Sequence, residues 1–140
     1  MTTQRIVLGT VVGGLVLFFL GYLTYGIVFA SFFEANAGSA SGVNREPFNF
    51  VALAIGQLAW GAVLTLILGW SRVSSVAEGV KAGALAGLLF FLGIDLTLYA
   101  TTNISNLTAS LVDPILAAVL FGVTGAAIVS VSRTRATARG

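Results

Sequence analysis

Residues 80–99 read VKAGALAGLLFFLGIDLTLY, an apolar run that contains only two charged residues, Lys81 and Asp95. A helix of about 20 residues rises about 30 Å, which matches the hydrocarbon core of a bilayer. Lys81 stands at the start of the run, whereas Asp95 lies well inside it. The stretch therefore predicts a transmembrane helix with a carboxyl group in its second half.

Three more apolar runs of similar character lie at residues 6–29, 48–69 and 107–131. Of the 140 residues, 57% are hydrophobic and 9% are charged, far from the roughly 25% charged residues of soluble domains. Backbone groups in lipid must be satisfied within the spanning structure, and no run alternates with the period of two that a barrel strand requires. We predict an all-α membrane protein, with residues 1–140 forming one four-helix transmembrane bundle and residues 31–47 an outer loop.

The basic residues predict how the helices cross the membrane. Arg45 is the only basic residue of the first connection, and the third connection has none. The other basic residues lie near the N-terminus, in the second connection and in the tail, at Arg5, Arg72, Lys81, Arg133, Arg135 and Arg139. Because Lys and Arg are enriched on the cytoplasmic side, both termini are expected there, the N-in/C-in arrangement of a multi-pass protein in a bacterial inner membrane.

Asp95 and Asp113 are the main candidates for a site, because a carboxyl group in hydrocarbon is costly unless it is protonated, paired or hydrated. Both lie about nine residues from a hairpin centred near Ile104, so straight helices would bring them to one level in the outer half. No Lys, Arg or His is available at that depth, which favours neutral carboxyls or a pair that shares one proton. Other polar candidates for an outward-facing pocket are Thr97, Tyr22, Tyr25 and Gln57. The alternative is that each Asp is a neutral hydrogen-bonding strut between helices.

The Asp113-Pro114 pair allows two starting points for the fourth helix. Asp is a preferred N-cap and Pro is favoured at the first helical position, so the helix could begin at Pro114. If it begins near Leu107 instead, Pro114 removes a backbone hydrogen bond and Asp113 lies inside the span. The sequence favours neither reading.

Small residues repeat every fourth position and predict close helix contacts. One stripe comprises Gly79, Gly83 and Gly87, and another comprises Gly9 and Gly13. These stripes could pack inside one bundle, which is our main expectation, or face outward and dock another subunit.

Three classes of function follow. The first is a small protein whose outer pocket binds or passes a proton, cation or small amphipathic ligand. The second is an accessory subunit of a homo-oligomer or a larger membrane complex. The third is an intramembrane acid–base enzyme acting on an apolar substrate, which needs the two carboxyls within about 5 to 9 Å.

The composition also excludes several classes. With no His and no Cys we expect no metal site and no cofactor, and no phosphate-binding glycine loop occurs. The basic excess is small and scattered, so no nucleic-acid partner is expected beside the lipid bilayer.

The sequence also resembles an uncharacterised family of small four-helix bacterial membrane proteins. The resemblance lies in GIDLTLYAT at residues 93–101, followed by LVD at residues 111–113. That family has an Asp-Leu-Thr motif in its third helix and an Asp in its fourth, which correspond to Asp95, Thr97 and Asp113. More loosely, GYLTY at residues 21–25 is similar to the first helix of another such family. The resemblance implies a four-helix fold with two recurrent acids and no particular reaction. The chain departs from it at Leu98 and Pro114.

Overall fold

The computed structural model describes residues 2–137, with side chains to Ser132. Within this range the chain is helical and contains no β-strand. The elements are helix α1 (Thr3–Gly21), a π-helical segment (Tyr22–Val28), and helices α2 (Ala30–Ala35), α3 (Phe50–Trp70), α4 (Val76–Thr101) and α5 (Leu107–Thr137). Four spans in the described range are long and apolar enough to cross a membrane, at Thr3–Val28, Phe50–Trp70, Val76–Thr101 and Leu107–Ser132.

The elements differ in two respects from those expected from sequence. The first helix does not continue as an α-helix to residue 29, because its last turns from Tyr22 onward are π-helical. The expected loop at residues 31–47 contains most of α2, and Ala37 then forms a β-bridge with Ser105. Only the later part of that stretch has the irregular conformation expected of a loop.

Helices α4 and α5 form the most extensive helix pair. The stripe of Gly79, Gly83 and Gly87 lies against the α5 backbone, and all three glycines are buried. A Cβ added at Gly87 would lie 2.5 Å from the carbonyl oxygen of Ala117, closer than atoms can approach. The stripe therefore packs inside the bundle, as expected, and is not an outward docking face.

Helices α1 and α3 form a second glycine-mediated pair. Gly61 of α3 faces the α1 backbone, where an added Cβ would lie 2.6 Å from the carbonyl oxygen of Thr10. Gly9 and Gly13 lie on the opposing surface, so this stripe is also internal. Helix α1 then joins the two pairs, because it also packs on α5. The buried core between them consists of Leu17, Leu64, Leu68, Leu120, Phe121, Ile128 and Val129.

The fourth spanning helix begins at Leu107. Asn106 is its N-cap, and its side-chain oxygen accepts a hydrogen bond of 2.9 Å from the backbone N–H of Ala109. Pro114 is buried inside the helix, one turn after Ser110, whose carbonyl therefore loses its normal helical donor. Of the two readings that the sequence allowed, the structure has Asp113 within the helix and not as its cap.

We call the end that carries residues 36–49 and 102–106 the hairpin end, and the opposite one the termini end. At the hairpin end the backbone N–H of Gly38 donates to the carbonyl of Ile104 at 2.8 Å. The side chains of Asn36 and Asn106 are also joined by a hydrogen bond of 3.0 Å. These contacts tie the end of α2 to the α4–α5 connection and so cover the helix ends beneath them.

The α1–α3 contact generates a stability prediction. The substitution Gly61→Ala places a methyl group of α3 against the backbone of α1. Because a helix backbone cannot yield locally, we expect a loss of roughly 1–3 kcal/mol in the free energy of unfolding. The measurement is a denaturant or thermal unfolding midpoint of the purified protein in detergent.

Gly56→Ala in the same helix is the matched control, because a Cβ there has no atom within 4 Å. It should be neutral or stabilising by up to about 1 kcal/mol, since Ala has the higher helix propensity. Equal stability of the two variants would show that α1 and α3 do not approach this closely.

Candidate functional site

The two aspartates meet between α4 and α5. Asp95 lies six residues before the last residue of α4, and Asp113 lies six residues after the first residue of α5, so each is about 9 Å from its helix end. Their side chains are within hydrogen-bonding reach of each other. The structure thus brings together the pair that the residue count placed at one level.

Tyr25 joins this pair from the π-helical segment. Its hydroxyl group donates a hydrogen bond of 2.5 Å to Oδ1 of Asp113. The wider turn is seen directly in the backbone, where the N–H of Phe29 bonds to the carbonyl of Thr24, five residues earlier. The Tyr25 ring also packs against Phe33 of α2, with ring centroids 5.4 Å apart. Tyr25 is therefore held by its ring at α2 and by its hydroxyl at α5.

One carboxyl oxygen of Asp95 lacks a hydrogen-bond donor. Oδ2 of Asp95 is buried and has no hydrogen-bond partner among the described residues. Two ionised carboxylates in contact repel each other and supply only acceptors, whereas a single proton turns one oxygen into a donor for the other carboxyl. The arrangement of Tyr25, Asp113 and Asp95, which we call the acid cluster, is therefore suited to hold one proton and one negative charge.

A cleft of about 500 Å³ adjoins the acid cluster at Tyr25. It lies between the last turns of the first span, the first half of α3 and the facing parts of α4 and α5. Its walls are mainly aromatic, with Tyr22, Tyr25, Phe48, Phe50, Trp60 and Phe91 among the lining side chains. The volume is within the range of about 300–1,000 Å³ that is usual for small-molecule sites.

Trp60 is the centre of the aromatic wall. Its ring lies 5.7 Å from Phe90, 5.8 Å from Phe91 and 5.7 Å from Phe121, measured between centroids. These contacts connect α3 to α4 and α5 at a level where the backbones do not pack closely. Aromatic side chains thus separate the two helix pairs and leave the cleft between them.

Two polar groups line the cleft in addition to Tyr25. The side-chain amide of Gln57 makes no hydrogen bond with any residue in the described part of the chain, although it is half-buried. Tyr22 also lines the cleft and is 56% exposed. An amide in apolar surroundings gains free energy from a partner, so Gln57 is available to a ligand.

Thr97 is not brought into the site. It is exposed, and its hydroxyl donates a hydrogen bond of 2.6 Å to the carbonyl of Gly93 in its own helix. Asp95 and Asp113 do not line the cleft themselves, so the acid cluster is in contact with it through Tyr25. Of the six polar candidates from sequence, Asp95, Asp113 and Tyr25 form the cluster, and Tyr22, Tyr25 and Gln57 line the cleft.

The aromatic wall and the π-helical segment were not predicted from sequence. Helical spacing could have indicated some of the residues that line the cleft. Phe91 lies four residues before Asp95 and Ala117 four residues after Asp113, so each shares a helix face with an aspartate. Gln57 and Trp60 are likewise one turn apart on α3. By contrast, nothing in residues 21–28 distinguishes a π-helix from an α-helix.

Comparison of the chain with protein families, with curated proteins and with solved structures gave no match. The fold and the site define the class of protein: an all-helical chain with four membrane-length apolar helices and a small-molecule-sized cleft beside a carboxyl pair. In the described residues, no group of three or more His, Cys, Asp or Glu could hold a metal ion.

The Tyr25 hydrogen bond generates a second prediction. Tyr25→Phe removes the donor to Asp113 while keeping the ring contact with Phe33, so we expect a loss of stability near the average of about 0.6 kcal/mol for interhelical bonds in a membrane bundle and below the maximum of about 1.7 kcal/mol. The unfolding midpoint in detergent at neutral pH measures it.

Tyr22→Phe is the control, because the Tyr22 hydroxyl has no hydrogen bond with the described residues. It should leave the midpoint unchanged. If Tyr25→Phe leaves it unchanged as well, the hydroxyl does not support the acid cluster.

Proposed function

We propose that this protein is a multi-pass membrane protein that binds a small cationic amphipathic molecule. The apolar body of the ligand occupies the aromatic cleft, and its positive group is attracted by the acid cluster. The hairpin end faces outward and both termini lie in the cytoplasm, as the distribution of basic residues favours. A bacterial inner membrane and the resemblance to small four-helix bacterial proteins belong to the same proposal.

The observation that carries the proposal is the double role of Tyr25. Its ring lines the cleft, and its hydroxyl donates to Asp113, which in turn is in contact with Asp95. A ligand in the cleft is therefore separated from the carboxyl pair by one side chain. In a low-dielectric environment, a charge at this separation still interacts strongly with its partner.

The charge of the surroundings favours a cation. No Lys, Arg or His occurs at residues 82–132 or 46–71, so no basic side chain on those spans can neutralise the pair. A pair that holds one proton keeps one negative charge, and a second proton or a bound cation can balance it. Binding of the cation and binding of that second proton therefore compete.

Binding fits the geometry better than the two alternatives. Direct acid–base chemistry requires a carboxyl in contact with the substrate, whereas neither aspartate lines the cleft. The glycine stripes that could have docked a further subunit are used inside the bundle. The cleft, in contrast, is open and has an amide without a partner.

The proposal is tested by fluorescence with Trp60 as the reporter, because it lines the cleft and Trp70→Phe removes the only other tryptophan. The protein in lipid nanodiscs is titrated with tetraphenylphosphonium, and with tetraphenylborate as a probe of the same shape and opposite charge. We expect saturable quenching by the cation only. The double variant Asp95→Asn/Asp113→Asn removes the one negative charge of the pair, so it should weaken cation binding about tenfold, which corresponds to 1.4 kcal/mol.

Glu46→Gln is the matched control, because it removes an exposed carboxylate of the 36–49 segment that is not part of the acid cluster. It should leave the affinity unchanged. Cation affinity in the wild type should also fall as the pH is lowered, since protons compete for the pair. Equal binding of both probes, or equal cation affinity in the double variant and Glu46→Gln, would exclude the proposal.

A further inference from the structure

A second cleft lies at the termini end, remote from the acid cluster. It has a volume of about 420 Å³ and is formed by the termini ends of α1, α3 and α5 together with the connection after α3. Leu68, Ile128 and Val129 give it an apolar floor, and Arg5 and Arg72 lie among its lining residues. Two arginines from separate elements therefore line one partly apolar cavity.

These guanidinium groups are not neutralised by any of the described residues. Neither arginine forms an ion pair within the described part of the chain. Glu78 is the only acidic residue near this end, and its carboxylate accepts hydrogen bonds from the backbone N–H groups of Ser74 and Ser75. It belongs to a capping box at the start of α4. The cleft thus has an excess of positive charge.

Arg72 also has an unusual backbone conformation. Helix α3 ends in a Schellman motif, in which the N–H of Val73 bonds to the carbonyl of Leu68 and the N–H of Arg72 to the carbonyl of Gly69. The left-handed position of this motif is normally Gly, but here it is Arg72, with φ of 53°. A residue other than Gly or Asn is disfavoured there, so Arg72 occupies this position at a cost in backbone energy.

We propose that the termini-end cleft binds an anionic phosphate group, carried by a membrane lipid or by a soluble phosphate ester. Arginine forks bind phosphate oxygens through paired N–H donors, which a lone ammonium group cannot do. The apolar floor would accept the first carbon atoms attached to the phosphate. This site is independent of the proposed cation site in both residues and location.

The first arm of the test measures binding of phosphatidylglycerol to the purified full chain by native mass spectrometry, with phosphatidylcholine as the zwitterionic reference. We expect preferential retention of phosphatidylglycerol, weakened at least about tenfold by Arg72→Gly and by Arg5→Gln. Because glycine suits the left-handed position, Arg72→Gly should fold at least as stably as the wild type. A loss of binding in this variant is thus separated from a loss of fold.

Arg45→Gln is the charge-matched control, because it removes one positive charge from the 36–49 segment. It should not change lipid retention.

The second arm adds glycerol 3-phosphate or inorganic phosphate as a competitor. Displacement of the lipid supports a site for the lipid headgroup. Stabilisation of the protein by the soluble phosphate, without any preference between the lipids, supports a soluble phosphate ester as the ligand. Wild-type retention in Arg72→Gly, or equal losses in Arg72→Gly and Arg45→Gln, together with no effect of soluble phosphate, would overturn the proposal.

Discussion

The close approach of α4 and α5 along Gly79, Gly83 and Gly87 sets the spacing of the two helices that carry Asp95 and Asp113. A carboxyl side chain is short, so the two aspartates can reach each other only across a closely packed helix pair. Glycine permits this approach because it has no Cβ, and in lipid the resulting dispersion contacts are a main source of helix association. The same contact fixes the register of α4 against α5. Each aspartate then lies six residues, or about 1.7 turns, from the hairpin end of its helix.

The cleft arises because the second glycine contact occurs elsewhere. Helix α3 packs on α1 through Gly61, and its first half is separated from α4 and α5 by Trp60 and its aromatic neighbours. Two tight helix pairs joined mainly through α1 and α5 leave room between them at both ends. The hairpin-end cleft is aromatic and adjoins carboxyls, whereas the termini-end cleft has arginines. The opposite charges of the two clefts suit them to ligands of opposite charge.

Much of the fold could be predicted from the sequence, because apolar length alone marks the four spans. The level of Asp95 and Asp113 also followed from counting residues along α4 and α5. The helix start could not be decided from sequence because Asp113-Pro114 and Asn106 can both cap a helix. In the structure Asn106 is the cap, and its side chain also bonds to Asn36, which is distant in sequence. Thr97 was grouped with Asp95 because the two are close along the chain. Residues two positions apart in a helix, however, lie on nearly opposite faces. The π-helical segment depends on tertiary contacts of Tyr25 and has no sequence signature.

We propose that Asp95 and Asp113 form one pair that shares a single proton beside Tyr25. Infrared spectroscopy of the protein in lipid, with aspartate labelled at its carboxyl carbon, can detect that proton. We expect the C=O stretch of one protonated carboxyl group at neutral pH, which is lost or shifted in both Asp95→Asn and Asp113→Asn and shifted in Tyr25→Phe. Absence of that band in the wild type, or a band that only one of the two Asp variants changes, would contradict a shared proton.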